Sequence, residues 1–557
     1  MTAVKFNFHK NLIIAGVLLA SFFVPASFAK ADSVGDVKTF FVNSDYDEFS
    51  RNALSATLRN VSDKAYFYVD DRYWAGLNQF TKDTFVTSLH ELGTQFDKTI
   101  YPKETQFFGS EPSPGIDGDP KITVLLEDLK KGTGGYFETG NFYDRKDVPT
   151  SNEREMVVVG AESVSGLGKT FLAHEFQHLL SFNQKELIRK VSEDVWLNEL
   201  RSEYAVSLVG YNDVFGGSSL ERRLDTFRSE PSDSLTEWPN LSTDYGHVAL
   251  FGEYLVEQFG QQVVSETMKL STSGIESFNN YFQSRNIKEN FSGVFGKWLA
   301  ANYLNNSALD SRLGYQRAEL KGFRIMPRYY ILSYPSTYQL NYDLEPWQGS
   351  WHQFSLYYLP QNQTIKIDYN SQDGFKLWYL DNMGNFGFVP SGGAIPNKGG
   401  LSQVVLMPVN ESKISGFSTN ESTLRFSADI QFVDSALAAV SSLKDGDLIK
   451  RPNESETYVI EGKYRRYLRP EVIALYGHLD PAKAIAVDDE TLNSYISANY
   501  VRNVNQEQVY AVWPDGTKHW LNITPQQWDA SGRDWNAIFI INDLEFNYYT
   551  AGSDITR

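Results

Sequence analysis

A chain of 557 residues is too long for a single hydrophobic core, so two to four domains are expected, and its 41% hydrophobic and 22% charged content excludes wholesale disorder. The 51 basic and 69 acidic residues leave a net charge of −18, which argues against nucleic acid as a partner and against anionic surfaces. No Cys is present, which excludes disulfides and a lipid anchor on a cysteine, so stability has to come from core size and bound ions.

The N-terminus, residues 1–31, reads as a secretory signal. Lys5, His9 and Lys10 form a basic start, Leu12 to Val24 a 13-residue apolar run, and Ala29-Lys30-Ala31 an A-x-A cleavage site. Thirteen residues are too few to span a bilayer comfortably, and no later segment is long and apolar enough. Cleavage after Ala31 and secretion are therefore expected, without a transmembrane anchor. Loss of Lys5, Lys10 and Lys30 makes the net charge −21, and a large exported chain without Cys points to a bacterial secreted protein.

Residues 32–325 read as a sheet-bearing lobe followed by a helical lobe. Strand-like runs at Lys38–Val42, Ala65–Val69 and Lys121–Leu126 surround a helix near Lys82–Phe96. A Gly-rich connection, Gly132-Thr133-Gly134-Gly135, leads to Tyr136, and Glu155–Gly160 is a short apolar strand. Helical patterns follow at Lys169–Phe182, Glu193–Leu208, His247–Phe259 and Phe291–Leu304. A cleft between two such lobes is a common place for an active site.

The stretch Phe171-Leu-Ala-His-Glu-Phe-Gln-His178 carries the chemistry. Positions four apart on a helix share one face, so His174 and His178 can present ring nitrogens to one ion. Glu175, one position round, is placed as general base. A catalytic zinc needs a third protein ligand, and the next helix offers Glu199 in Trp196-Leu-Asn-Glu-Leu-Arg-Ser-Glu203. Glu203, one turn on, can accept the N–H of a ligand histidine and fix its tautomer. With eight His in the chain, a chance H-E-x-x-H is improbable.

Two other stretches imitate ligand sites. Ser163 to Thr170 follows a strand and opens a helix like a P-loop, but Ser163 stands where the first Gly is required. Asp117-Gly118-Asp119 with Glu111 nearby offers oxygens to calcium without the full ligand loop, and a Gly/Asp turn explains it as well. Calcium is kept as a second cation beside zinc.

Residues 326–435 alternate as short strands between Gly, Asn and Pro turns, the pattern of a β-sandwich. A linker at 436–447 precedes a weak duplication over 440–557, with copies at about 448–500 and 501–557. "YVIEGKYRRYLRPEVIALYG" from Tyr458 resembles "YAVWPDGTKHWLNITPQQWD" from Tyr510. Paired aromatic-rich α+β modules suit attachment to a cell surface or polymer, or a structural spacer.

The blocks "KAYFYVDD", "PGIDGDPKITVLLEDL", "GGYF", "SNEREM", "HEFQHLL", "WLNELRSEYA", "DYGHVALFGEYLVEQFG" and "VFGKWLAANYL" occur in order between residues 64 and 306. They resemble the gluzincin metallopeptidases, most closely the hyicolysin-like family, and similarity to thermolysin is limited to H-E-x-x-H and Asn198-Glu199 with Ser202-Glu203. The resemblance implies an α+β zincin-type catalytic region, Glu199 as third ligand, and Glu203 and Asn198 as outer partners, Glu203 on His174. Leu200-Arg201 departs from the Gly-Leu common after the ligand Glu, and Arg201 is expected to line the cleft or point to solvent. Other gluzincins place a Tyr or His on a later segment as oxyanion donor, which singles out Tyr245, then His247, in Asp244-Tyr-Gly-His247. A helix-capping Asp followed by core aromatics explains that segment equally. Gly135 and Tyr136 can supply an edge strand that pairs with a peptide substrate.

Three functions compete. The first is a zinc endopeptidase acting on protein or peptide substrates. The second is a zinc hydrolase of cell-wall amides. The third is a non-catalytic adhesin, against which His174, Glu175, His178 and Glu199 speak together.

Overall fold

A computed structural model describes residues 31–331, 337–356, 359–360, 363–397, 401–434, 443–452, 454–487 and 489–556. Residues 1–30 of the expected secretory signal and most of the expected linker lie outside the described residues. The chain divides into two compact units, Met1–Asn183 and Gln184–Arg557, and both mix helices with sheet. Among the described residues, no helix is long and apolar enough to cross a membrane.

The first unit is built on a six-stranded sheet of β1 (Val37–Phe41), β2 (Ala53–Val61), β3 (Ala65–Asp70), β4 (Ile122–Glu127), β5 (Gly135–Tyr136) and β6 (Met156–Gly160), in the order β1-β2-β3-β4-β6-β5. β3, β4 and β6 run parallel and are buried at every position, the burial expected of strands covered on both faces. β1, β2 and β5 pair antiparallel at the two edges. The sequence pattern gave no sign of β2: its small and polar residues alternate between exposed and buried, but few are β-branched or aromatic. One face carries Phe40, Leu58, Tyr68, Leu125, Tyr136 and Val158. The unit's helices are α1 (Asp71–Gly76), α2 (Gln79–Gln95), α3 (Tyr101–Phe108) and α4 (Gly168–Phe182), and a π-helical turn at Phe96–Ile100 joins α2 to α3. Phe96 and Tyr101 pack on Phe176 of α4 with ring centroids 5.0 and 5.7 Å apart.

Three of this unit's buried acids are held far from their ordinary titration. Burial pushes Glu104 well above the usual carboxylate range, Glu127 to about 8 and Glu155 to about 7. An acid with a raised pKa binds its proton more tightly folded than unfolded. Stability is then greatest below the unfolded value near 4.5 and falls as pH rises through the folded value. Melting temperature should therefore decline between about pH 5 and 8, and Glu127→Gln should flatten part of that slope. Calorimetry across the range, in wild type and variant, checks it.

The second unit begins with six helices: α5 (Val195–Val209), α6 (Ser219–Ser229), α7 (Ser242–Phe259), α8 (Gln262–Met268), α9 (Gly274–Ser284) and α10 (Phe291–Leu304). Phe251, Phe291, Phe295, Trp298 and Trp347 form an aromatic knot with centroids 4.8 to 6.5 Å apart. Two sheets follow. Gly393–Pro396, Gln363–Tyr369, Leu424–Asp434 and Thr337–Leu344 form one, and Phe386–Val389, Phe375–Asp381, Gln403–Asn410, His352–Ser355 and Arg328–Ile331 the other. Alternate residues such as Ile365, Ile367, Phe426 and Ile430 meet Phe354, Leu377, Val404 and Leu406 in a common core, the packing of a β-sandwich. The second sheet also backs onto α10: Trp351 Nε1 donates to the Leu299 carbonyl (2.8 Å), and Trp378 fills the space at Gly296.

The last two sheets share one strand pattern. Leu448–Lys450, Thr457–Glu461 and Tyr464–Leu468 run antiparallel, flanked by parallel strands Ile485–Ala486 and Ile496–Ser497. Tyr500–Asn503, Val509–Val512 and Thr517–Trp520 are likewise flanked by Ile538–Ile541 and Thr550–Ala551. Leu468, Val472 and Ile473 of the first share a core with Val501, Ile541 and Phe546 of the second. Across that core Arg466 donates to both oxygens of Glu545 (2.6 and 3.2 Å), and Tyr549 donates to the same carboxylate (2.8 Å). Both ionic side chains are almost wholly buried. Glu545→Ala strands a buried guanidinium and should cost about 3–5 kcal/mol, whereas replacing both residues by apolar side chains should cost far less. Chemical denaturation of the single and double variants decides this.

Candidate metal centre

Helix α4 follows β6 after a short 3₁₀ turn, and its apolar residues Leu172, Ala173, Phe176, Leu179 and Leu180 are all buried. That burial fixes the rotation of the helix and so the direction of its polar face. His174 and His178 bring their Nε2 atoms to 3.2 Å, with ring planes at 77°. Two nitrogens each about 2.0–2.1 Å from a tetrahedral zinc stand about 3.3 Å apart, so this approach fits two ligands of one cation.

Glu175 is buried and faces the edge strand. A Cβ added to Gly135 would lie 2.8 Å from Glu175 Cγ, 3.0 Å from its Oε1 and 2.6 Å from the Val158 carbonyl oxygen. At Gly134 it would lie 2.5 Å from the Phe171 ring. The two glycines let β5 run closely beneath α4. Tyr136 turns its side chain inward, where its hydroxyl donates to Glu127 Oε2 (2.8 Å). Only its backbone is on the strand edge.

In the second unit, Glu199 and Glu203 lie one turn apart on α5. Both oxygens of Glu203 accept from Arg223 of α6 (2.9 and 2.6 Å). Burial works against the Arg223 charge, but Glu203 outweighs it and holds the guanidinium above its ordinary pKa. The same guanidinium lies 4.6 Å from the centre of the Tyr245 ring, whose hydroxyl donates to Asn240 (2.8 Å). Asn198 Oδ1 is buried and has no hydrogen-bond partner among the described residues. His247 is 1% exposed, with ring nitrogens 3.0 and 3.1 Å from the carbonyl oxygens of Thr243 and Pro231 and its ring against Phe227. Asp244 accepts from the Leu241 N–H (2.7 Å) at the start of α7, and burial raises it to about 7.

The ligand atoms of His174, His178 and Glu199 all lie within 4.8 Å of one another, and among the described residues no second group of three His, Asp or Glu does so. Asp117 instead caps its own turn by accepting from the Asp119 N–H, Asp119 accepts from Lys121 N–H and the Tyr66 hydroxyl, and Glu111 accepts from Tyr101. The expectation for Arg201 is corrected. It neither lines a cleft nor reaches solvent; it is fully buried and pairs with Glu193 (2.6 Å), which also holds Lys185 (3.2 Å). Sequence reasoning missed Arg223, because no spacing rule links a residue on α6 to one twenty positions earlier.

No protein-family model matches the chain. It is 28% identical over 236 residues to the neutral metalloprotease ShpI of Staphylococcus hyicus, an alignment covering 36% of this chain and about half the length of that relative. This similarity supports a metalloprotease family. Among solved structures, PliG of Salmonella Typhimurium and a mutant of PliG from Escherichia coli, periplasmic inhibitors of g-type lysozyme, align over 19% of this chain and all of theirs. They share 7% and 10% identity at TM-scores of 0.15 and 0.12, a likeness too slight to carry any argument.

Gly135→Ala should lower stability by about 1–3 kcal/mol, since the added methyl meets a carbonyl and the Glu175 side chain. Gly166→Ala, whose nearest neighbour would be 3.9 Å away, should change little. Melting curves of the two variants test the close approach.

Proposed function

We propose that the chain is a secreted zinc-dependent endopeptidase in which His174, His178 and Glu199 hold the metal and Glu175 is the general base. The observation that carries this reading is the convergence of one carboxylate of α5 with two imidazoles of α4, donors suited to zinc, where α4 also bears a buried glutamate. Similarity to a neutral metalloprotease supports peptide bonds as the substrate class. The basic start, apolar run and A-x-A site before Asp32 support secretion.

When bound, zinc supplies a Lewis acid at the scissile carbonyl and lowers the pKa of water. Glu175 takes the proton from the attacking water and delivers it to the leaving amine. The backbone of Gly135 and Tyr136 pairs with an extended substrate, which lays the scissile bond beside Glu175. Tyr245 is the favoured donor to the oxyanion, because it is only half-buried and its hydroxyl can leave Asn240, whereas His247 is enclosed with both ring nitrogens facing backbone carbonyls. Arg223, held by both oxygens of Glu203, steadies the Tyr245 ring.

Protein starting at Asp32 should hold about one zinc and cleave casein, and Glu175→Gln should keep the zinc while losing about 100- to 10,000-fold in kcat. Metal analysis beside a proteolysis assay tests this. Zinc without cleavage of any protein would turn the search to other amides, and well-folded protein without zinc would sink the metal site.

A further inference from the structure

Strand β5 has two residues, and its register with β6, Gly135 to Val159 and Tyr136 to Val158, offers few ladder bonds to hold it. What fixes it is the Tyr136 side chain. The ring is 7% exposed, packs in the core of the sheet and stacks on Tyr46 at 5.1 Å. Its hydroxyl donates to Glu127 Oε2 and accepts from the Asn43 N–H (3.2 Å).

Glu127 is costly to keep. It is fully buried at the end of β4, and its Oε1 has no hydrogen-bond partner among the described residues. The nearby cation, Arg51, is already shared by Asp47 and Asp70 at 2.6 Å each. Burial and the neighbouring Asp47 both work against a charge on Glu127. A buried carboxyl with no cation of its own lowers stability, and such residues tend to mark function. Of its polar neighbours Asp47 and Tyr136, the second belongs to the strand that lies against Glu175.

We infer that Glu127 is a positioning residue, acting through the Tyr136 hydroxyl to set the edge strand β5 at the height where it receives a peptide backbone and stays in contact with Glu175. This rests on the endopeptidase reading. Tyr136→Phe removes one oxygen and keeps the ring, so the fold is retained while the tether is cut. Glu127→Leu cuts it from the other end, and Glu127→Gln keeps an acceptor for the hydroxyl.

The experiment measures zinc content, kcat and KM on a peptide long enough to lie along the strand, for wild type, the three single variants and Tyr136→Phe with Glu127→Leu. Zinc content should stay at the wild-type value throughout. Tyr136→Phe and Glu127→Leu should each raise KM about tenfold, the double variant should be no worse than either alone, and Glu127→Gln should restore most of the loss. Unchanged KM in Tyr136→Phe, losses that multiply in the double variant, or no rescue by Gln would overturn the inference. A wild-type protein that holds zinc and cleaves while Tyr136→Phe is unaltered removes this inference alone; a wild type that does neither removes the function beneath it.

Discussion

The close passage of β5 beneath α4 is the constraint on which the candidate site in the first unit depends. Two consecutive residues without a Cβ, Gly134 and Gly135, let the strand approach until Phe171 and Glu175 occupy the space a side chain would take. The helix cannot withdraw, because its apolar residues are buried between the sheet and the rings of Phe96 and Tyr101. Rotation is thereby fixed, and with it the inward direction of Glu175 and the facing nitrogens of His174 and His178. A glutamate buried in this way is held towards its neighbour, which is what the proposed role as general base requires.

The grouping of His174, His178 and Glu199 was legible because it obeys short-range rules. An i,i+4 histidine pair, a glutamate between them and a second carboxylate pair one turn apart need only helical periodicity. The strands buried on both faces were legible too, since a run such as Met-Val-Val-Val leaves little alternative. β2 was not, as it contributes Leu54, Ala56 and Leu58 to the core through small alternations between polar residues. Helix α6 was missed although its signal is present: Ser218 caps it, and Leu220, Leu224 and Phe227 make a buried stripe. What no sequence pattern could offer is Arg223, Glu127 or the inward turn of Tyr136, which exist only as contacts between separate elements.

Arg201 shows how a departure from a familiar pattern can mislead. A charged residue two positions from Glu199 suggests a role in the cleft, yet helical geometry sends it to another face of α5. There it meets Glu193, whose carboxylate also holds Lys185 and accepts from the Gly274 N–H (2.7 Å). Two cations on one buried carboxylate keep Glu193 ionised despite its burial and hold it below the usual pKa. The triad ties the start of α5 to the segments before α9, and so orients the helix that carries Glu199.

Buried acids in both units divide into those with a cation at hand and those without, and the second kind bears on where function lies. Glu193, Glu203 and Glu545 of the second unit each have a guanidinium within hydrogen-bond distance, as Asp47 and Asp70 of the first have in Arg51, so their negative charge is compensated on the spot. In the first, Glu104 and Glu127 are as deeply buried and have no cation of their own. Packing alone would be better served there by Gln or Met, which fill similar space without the penalty of an acid. Acids kept at that cost beside the helix and strand of the candidate site are therefore better explained by what they hold in place than by what they add to the fold, and Glu127, with Tyr136 on one of its oxygens, is the one whose hold is visible.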